Sequence, residues 1–249
     1  MKDLVVIKYG GSVLKDVKLK HAFFGYTKKL IRTHAVVIIH GGGKEITQLL
    51  DRLGIKTKFV NGLRFTDEET LSAAEMVLSG KVNKQLVAEF NTCGITAVGL
   101  SGRDAGMVYA KPIKKLGFVG KTVKINPGVI HVLIKQNIVP VISPIATNKK
   151  TCSALNLNAD TFAAEVAVAL HARRLVFLTD VPGVLDAQGN VVPIVRTGNV
   201  NKMISTGIIT GGMIPKIRSC VETIKKGVGE VVITNNCWGN NVKNTRVIR

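Results

Sequence analysis

The chain has 249 residues, of which 46% are hydrophobic and 20% are charged, a balance that is ordinary for a globular protein. No apolar run is long enough to span a membrane, and the apolar stretch near the start is too short for a signal peptide, so we expect a cytoplasmic protein without a membrane partner. The net charge of +19 is typical of nucleic-acid-binding proteins, but no three basic residues are consecutive and aromatic residues for base stacking are few. We therefore favour a diffuse basic surface that attracts anionic substrates over a specific nucleic-acid site.

Several common site motifs are absent from the sequence. The four cysteines are far apart and form no CxxC pair, so neither a zinc site nor a redox motif is indicated. Gly120-Lys121-Thr122 resembles the end of a Walker A loop, but Lys115 stands where that motif needs glycine. No GxGxxG, HExxH or protein-kinase catalytic-loop sequence occurs either. A nucleotide site in this chain would use another scaffold.

The predicted elements alternate between apolar strands and amphipathic helices. In chain order, strands are predicted at 4–8, 36–39, 96–100, 138–142, 175–179 and 230–234, with helices at 19–30, 46–53, 67–78, 82–90, 127–134, 160–170 and from 215 onward. Residues 107–125 are predicted to form a basic, turn-rich hairpin region. The alternation predicts an α/β protein in which helices cover both faces of a mostly parallel sheet.

Glycine turns follow the first two strands. The first strand ends in Lys8-Tyr9-Gly10-Gly11-Ser12, and a lysine there is hard to explain as structure because burying an ammonium group is costly. The second strand ends at His40 and is followed by Gly41–Gly43 and then by the apolar stripe of a helix. Such a turn either offers backbone N–H groups to an anion or is a tight connection without a ligand.

Later stretches add start signals for helices and polar strand ends. Thr66 as N-cap and Glu69 three residues later form a predicted capping box, and Pro215 stands at a predicted first helical position. Two more predicted strands end near Ser101 and Asp180. Because ligands of parallel sheets bind outside the carboxyl ends of strands, we expect Lys8, the triple glycine, Ser101 and Asp180 along one edge.

Eight short segments, in order between Leu4 and about Thr234, resemble the amino acid kinase superfamily: KYGGS, IIHGGGKEI, NGLRFTD, LSGKVNKQL, GLSGRDAG, NLNADTFAAEVAVAL, LTDVPGVL and GIITGGMIPKI. The resemblance implies a three-layer αβα sandwich with a mainly parallel central sheet. It also implies an acyl-amino-acid-binding lobe at 1–174, which includes a dimer interface, and an ATP-binding lobe at 175–249.

The activity implied by the resemblance is ATP-dependent phosphorylation of the side-chain carboxylate of N-acetyl-L-glutamate, the second step of arginine synthesis, with Mg²⁺ accompanying ATP. The chemistry fits the absence of an obvious catalytic histidine. A carboxylate is already ionised at neutral pH, so its attack on ATP needs no general base. Bringing two anions together is the difficulty, and phosphoryl transfer is therefore mostly positioning and charge stabilisation.

The resemblance also implies roles for individual residues. Lys8 would contact the transferring phosphoryl group, Lys216 would stabilise the leaving side, and Asp160 would hold both lysines. The implied substrate contacts are Gly41, Gly42, Gly43, Arg64, Asn156 and Asn158, with the Arg64 guanidinium suited to a carboxylate. The implied nucleotide contacts are Gly10, Gly11, Asp180, Val181, Pro182, Gly183, Val184, Leu185, Ile208, Ile209 and Thr210.

Structural roles compete with these assignments. Asp160 is also suited to the start of a helix, Asn158 to an N-cap, and Arg64 to a surface ion pair, while Lys216 could be solvated. The segment Arg103-Asp104-Ala105-Gly106 departs from the family pattern, which commonly reads lysine-aspartate-glycine at its end. No role is assigned to His40 or Ser101.

Other functions remain open from the sequence. One is a carrier-protein-linked aminoadipate or glutamate kinase of lysine synthesis, and another is a nucleic-acid-binding or regulatory protein on the same fold. Aspartokinase is disfavoured, since its regulatory domain has no room here. The first predicted strand starts at Leu4, which leaves no residues for the helix that links arginine-inhibited relatives into hexamers, so we expect an arginine-insensitive homodimer.

Overall fold

The computed structural model describes residues 2–10, 17–186, 188–211, 213–236 and 243–249. The chain divides into two compact units. The first unit combines Met1–Val36 with Ala163–Arg249, and the second unit is the continuous segment Val37–Phe162. The predicted lobes at 1–174 and 175–249 divide the chain by role, and that division stays a prediction.

Helices and strands alternate along most of the chain. The strands are β1 (Asp3–Tyr9), β2 (His34–His40), β3 (Phe59–Val60), β4 (Leu63–Arg64), β5 (Ala97–Ser101), β6 (Val108–Pro112), β7 (Gly120–Ile125), β8 (Val139–Ser143), β9 (Ile145–Asn148), β10 (Ala154–Asn156), β11 (Arg174–Leu178), β12 (Ile194–Arg196), β13 (Glu230–Thr234) and β14 (Thr245–Ile248). The α-helices are α1 (Val17–Leu30), α2 (Gly43–Arg52), α3 (Glu68–Glu75), α4 (Asn83–Thr92), α5 (Gly128–Lys135), α6 (Ala159–Ala169), α7 (Val200–Ser205) and α8 (Met213–Lys225).

Eight of the strands within the described residues belong to a large, mainly parallel central sheet. In the first unit the strand order is β12-β14-β13-β11-β1, and the pairing of β13 with β14 is antiparallel whereas the other pairs are parallel. In the second unit the order is β2-β8-β5, to which β2 contributes its residues 37–40, with parallel pairing throughout. The predicted α/β class with a mainly parallel central sheet is confirmed.

Within each unit, the strand register brings the carboxyl ends of the parallel strands to one level. In the first unit, Tyr9 pairs with Leu178 and Leu178 pairs with Thr234, so β1, β11 and β13 end at one level. In the second unit, Ile142 pairs with both Ile39 and Leu100, so β2, β8 and β5 also end together. Each unit therefore presents a row of strand ends at which side chains from separate parts of the chain meet.

The second unit also contains a four-stranded sheet with the order β10-β9-β6-β7. Its strands β6 and β7 pair in antiparallel fashion, so the predicted hairpin at 107–125 is confirmed.

The start of α3 differs from the prediction by one residue. Asp67 is the N-cap, and its side chain accepts a hydrogen bond of 2.9 Å from the Thr70 N–H. The fully buried Thr66 hydroxyl instead donates to the Arg64 carbonyl at 2.9 Å. Because that bond occupies the Thr66 side chain, the capping box predicted at Thr66 and Glu69 is wrong.

Two further helical details differ from the sequence pattern. A π-helical segment, Met76–Val82, joins α3 directly to α4 where two separate helices were predicted. Pro215 is the third residue of α8 rather than its first. That position still lies in the first turn, where the missing proline N–H would have no partner within the helix. No helix among the described residues has the length and apolar character needed to cross a membrane.

Candidate active site

The triple glycine forms the connection between β2 and α2 in the second unit. Gly42 is the N-cap of α2, and its carbonyl accepts from the Ile46 N–H at 2.9 Å. A Cβ at Gly42 would lie 2.8 Å from Leu78 Cδ2, so the turn packs closely against the π-helical segment. The first turn of α2 leaves backbone N–H groups without partners in the helix, which suits an anionic ligand.

Arg64 is held against this turn. Its Nη2 donates to the Gly43 carbonyl at 2.9 Å and to Thr47 Oγ1 at 2.8 Å, and its Nη1 donates to Thr57 Oγ1 at 3.2 Å. The residue is only 9% exposed, so it is not the surface ion pair that the sequence left open. Burial lowers the pKa of its guanidinium, and the Asp51 carboxylate partly offsets that effect. The side chain is thus a desolvated cation beside the glycine turn.

The start of α6 lies beside the same turn, since a Cβ at Gly41 would lie 3.8 Å from Ala159 Cβ. Asn158 is the cap of this helix, because its Oδ1 accepts from the Asp160 N–H at 3.1 Å and the Thr161 N–H at 3.0 Å. The structural role considered for Asn158 is therefore present. This cap uses only the side-chain oxygen of the exposed Asn158, so the side-chain nitrogen is left for a ligand. Asp160 Oδ1 is buried in the first turn of α6.

Asn156 is connected to the Arg64 segment through Thr66. Its backbone N–H donates to the Phe118 carbonyl at 2.9 Å, and its side-chain nitrogen lies 3.4 Å from Thr66 Oγ1. Thr66 in turn bonds the carbonyl of Arg64. Contacts within the second unit therefore link the predicted substrate residues to one another: Gly41, Gly42, Gly43, Arg64, Asn156 and Asn158.

A second group of predicted residues lies in the first unit, where β1 and β11 end. Lys8 is the penultimate residue of β1 and pairs with Phe177. A Cβ at Gly10 would stand 2.5 Å from the Leu178 carbonyl oxygen and 3.7 Å from Lys8 Nζ. The close approach to backbone therefore requires glycine at position 10. Gly11 lies outside the described residues.

Lys216 meets the same strand ends from α8. Its Nζ lies 3.4 Å from Thr179 Oγ1, and that hydroxyl donates to Asp180 Oδ1 at 2.9 Å. The Lys216 side chain is therefore half-buried against the end of β11 rather than fully solvated. Thr179 was not predicted as a site residue, although a hydroxyl between a buried strand and an aspartate is a usable sequence signal.

The remaining predicted nucleotide residues form two segments of the first unit. The segment after β11 packs against β14, because the Val184 N–H donates to Thr245 Oγ1 at 2.8 Å and a Cβ at Gly183 would lie 2.5 Å from that oxygen. Val181 and Pro182 in this segment are half-buried, and Leu185 is exposed. The segment 208–210 leads into α8, where the Thr210 carbonyl accepts from the Met213 N–H at 3.1 Å. Ile209 is buried, Ile208 half-buried and Thr210 exposed.

Sequence reasoning also missed a buried polar pair beneath the triple glycine. His40 and Asn83 are both fully buried and lie 3.1 Å apart through His40 Nε2 and Asn83 Nδ2. Asn83 adjoins the apolar stripe of α4, and the sequence gives no sign of which side chain it meets. The described parts of the chain contain no group of three or more His, Cys, Asp or Glu side chains placed to hold a metal ion.

Glycine turns and basic side chains thus lie at the strand ends of a mainly parallel sheet, an arrangement that suits anionic ligands. The model of the amino acid kinase family matches residues 3–235. The chain therefore belongs to the amino acid kinase family.

Relatives within this family are similar over most of their length. The chain is 43% identical to the acetylglutamate kinase of Endomicrobium trichonymphae over 96% of each chain. It is 45% identical to the acetylglutamate kinase of Geobacillus sp. (strain WCH70), over 94% of this chain and 91% of that one. Among solved structures, smu.665 from Streptococcus mutans UA159 is 32% identical, with a TM-score of 0.87 and coverage of 100% of this chain and 99% of that chain.

Proposed function

We propose that this protein transfers the γ-phosphoryl group of ATP to the side-chain carboxylate of N-acetyl-L-glutamate, which forms N-acetyl-L-glutamyl 5-phosphate in the second step of arginine biosynthesis. The observation that carries the proposal is the buried Arg64 guanidinium, which is fixed on the Gly43 carbonyl beside the glycine turn. The similarity to acetylglutamate kinases at 43% and 45% identity supports the same activity.

The acceptor has two carboxylates and an amide, and the second unit offers a partner for each. Arg64 pairs with the α-carboxylate, since a guanidinium matches a carboxylate in shape and charge. The N–H groups of Gly41–Gly43 serve the anionic side-chain end, where the phosphoryl group arrives. The side-chain amides of Asn156 and Asn158 hydrogen-bond the acetylated amino group. These assignments select an N-acylated dicarboxylic acid over a free amino acid.

The transfer itself needs positioned positive charge rather than a base. The acceptor carboxylate is ionised at neutral pH, so it attacks without losing a proton. Lys8 and Lys216 stabilise the charge that develops on the phosphoryl oxygens, and Asp160 keeps its predicted role in positioning those lysines. Gly10, Gly11 and the segments 180–185 and 208–210 bind the nucleotide.

We propose Mg²⁺ as the cation that accompanies ATP. Mg²⁺ is usually bound through one or two carboxylates together with substrate phosphates, rather than in an all-protein cage. This mode of coordination fits the described residues, which hold no cluster of three or more metal ligands but place the Asp180 carboxylate just after the end of β11. When bound, Mg²⁺ neutralises phosphate charge.

A coupled assay of ADP release tests the proposed function. We expect turnover with N-acetyl-L-glutamate and no turnover with free glutamate or aminoadipate. Arg64→Ala should raise KM for N-acetylglutamate far more than KM for ATP, because the guanidinium binds only the acceptor. Arg103→Ala is the control, since Arg103 is an exposed arginine whose ion pair with Glu75 lies outside the proposed site. Equal KM changes for both substrates in Arg64→Ala would remove Arg64 from the acceptor site.

We also propose a homodimer in the cytoplasm, where ATP is supplied. The family resemblance supports the dimer, and light scattering should give twice the chain mass of 26.8 kDa. A monomer or a hexamer would contradict it.

A further inference from the structure

His40 is a fully buried histidine at the end of β2, directly before the triple glycine. The pKa of its imidazole is lowered to about 4, mainly by burial; the hydrogen bond to Gly41 opposes this shift, and the nearby Lys84 ammonium adds to it. The ring is therefore neutral near pH 7, with one nitrogen carrying a proton and the other accepting one.

The hydrogen bonds of His40 determine which nitrogen carries that proton. Nδ1 lies 3.0 Å from the Gly41 carbonyl oxygen, which can only accept, so Nδ1 is the donor. Nε2 is then an acceptor, and Asn83 Nδ2 donates to it at 3.1 Å. The imidazole thus connects the Asn83 amide to the first peptide of the glycine turn.

The orientation of the Asn83 amide is fixed by other partners. Its Nδ2 also donates to the Val141 carbonyl of β8 at 2.9 Å and lies 3.3 Å from the Leu100 carbonyl of β5. Its Oδ1 accepts from Lys84 Nζ at 3.2 Å, and the same ammonium donates to the Gly99 carbonyl at 3.0 Å. One side chain therefore joins the carboxyl ends of β2, β8 and β5 in the second unit.

The glycine turn is held from three sides. His40 holds the Gly41 carbonyl and Arg64 holds the Gly43 carbonyl, while the π-helical segment packs on Gly42. A trans peptide is planar, so fixing the Gly41 carbonyl also directs the Gly42 N–H to the opposite side. Asn83 follows the π-helical segment directly, and such segments are often found at functional sites.

We propose that His40 and Asn83 form a positioning pair, in which the Asn83 amide sets the neutral His40 ring and that ring sets the peptide N–H groups of Gly41–Gly43 toward the acceptor and the transferred phosphoryl group. This inference rests on the proposed function. His40 touches no reacting atom and acts through the Gly41 peptide, so it is neither an acid nor a base in the reaction.

Steady-state kinetics of four variants test the pair. The variants are compared at equal folded fractions, which are measured by circular dichroism. His40→Leu and Asn83→Leu should each lower kcat by about 10²-fold with KM for ATP unchanged, because small displacements of positioning groups have effects of that size. His40→Asn should recover most of the loss, since its amide nitrogen can replace Nδ1 as donor to Gly41. Asn91→Leu is the matched control and should keep the kcat of the wild type. Asn91 is on the same helix, and its amide bonds β5 at Ala97, at the opposite end of the strand.

Nitrogen NMR of the wild-type protein gives a readout that needs no turnover. From about pH 5.5 to about pH 8 we expect His40 to stay neutral with the proton on Nδ1, and Asn83→Leu to shift the amide signals of Gly41–Gly43. A proton on Nε2, ordinary titration of His40, or losses of kcat equal to those of Asn91→Leu would overturn the pair. If the wild type does not phosphorylate N-acetylglutamate, the proposed function fails, and the spectra still decide the pair.

Discussion

Lys8 and Lys216 are the residues on which the proposed transfer depends most directly. A cation fixed beside the phosphoryl group binds the transition state better than the ground state, and losing one such group typically lowers kcat by about 10²–10³-fold. We expect Lys8→Ala and Lys216→Ala to show a loss of this size with little change in KM for N-acetylglutamate, measured by steady-state kinetics.

Lys225→Ala is the matched control for Lys216→Ala. Lys225 lies on the same helix, α8, but is exposed and pairs with Glu222. Its removal should leave kcat unchanged. A large rise in KM at near-normal kcat in the two test variants would make Lys8 and Lys216 ground-state binders rather than catalytic residues.

The buried His40 gives the stability of the protein a defined dependence on pH. Its pKa is about 4 in the folded chain against a reference value of 6.5, so the unfolded chain binds more protons between these values. The neutral ring contributes to the free energy of unfolding, and this contribution is fully present above about pH 6.5. It falls as the pH is lowered, by about 3 kcal/mol at pH 4. Urea unfolding at several pH values should show this loss in the wild type.

His40→Gln is the comparison for that measurement, because it cannot titrate. Between pH 7 and pH 4, the free energy of unfolding of this variant should fall by about 3 kcal/mol less than that of the wild type does. Parallel pH curves for the two proteins would show that His40 titrates normally in the folded state.

At the scale of single elements, the cap of α3 is a direct test of the structure against the sequence pattern. Asp67→Ala should lower the free energy of unfolding by about 1 kcal/mol, because the first turn of α3 loses the bond from its Thr70 N–H. Glu68→Ala, one residue further on, should have less effect because Glu68 is not the cap. An equal loss in both variants, by urea denaturation, would argue that the carboxylate acts only through the helix dipole.

The sequence predicted the long elements well and the short ones poorly. Strands β1, β2, β5, β8, β11 and β13 were located within about two residues, because continuous buried apolar runs have few alternatives. The pairs β3/β4 and β9/β10 and the strands β12 and β14 were missed. They are two to four residues long, and such strands are specified by their tertiary partners more than by their own residues.

The residues of the candidate site also differ in how far the sequence identifies them. The glycine turns and Lys8 were singled out because their residue types are unusual where they stand in the pattern, whereas Arg64 was named through the family resemblance. The Thr66 cap was wrong, since a competing carbonyl at Arg64 takes the hydroxyl. His40 and Asn83 could not be assigned, because their partners are distant in sequence. Thr179 carried a sequence signal beside Asp180, but only the fold shows its contact with Lys216.

At the scale of the whole molecule, the charge of +19 is unevenly distributed. No acidic residue occurs between Asp104 and Asp160, and within that stretch the exposed Lys111 of β6 pairs directly with the exposed Lys121 of β7. Like charges placed opposite each other across a sheet repel each other, and together they raise the local positive potential. This surface should therefore attract polyanions.

We expect binding to nucleic acid that is weak, blind to sequence and lost as salt is added. Each phosphate contact releases counterions, so the binding constant should fall steeply between low and physiological salt in a titration with unrelated DNA sequences. Lys111→Glu combined with Lys121→Glu should weaken binding without altering the proposed catalysis. Tight binding to one sequence at physiological salt would contradict this view.

The division of the first unit between two segments of chain has a consequence during synthesis. Strand β1 leaves the ribosome early, but its partner β11 follows only after the whole of Val37–Phe162 has been made. The continuous second unit can collapse while the edge of the apolar strand β1 that pairs with β11 is still open. An open strand edge of this kind is a template for association with other chains, so the nascent protein has a period in which a chaperone would protect it.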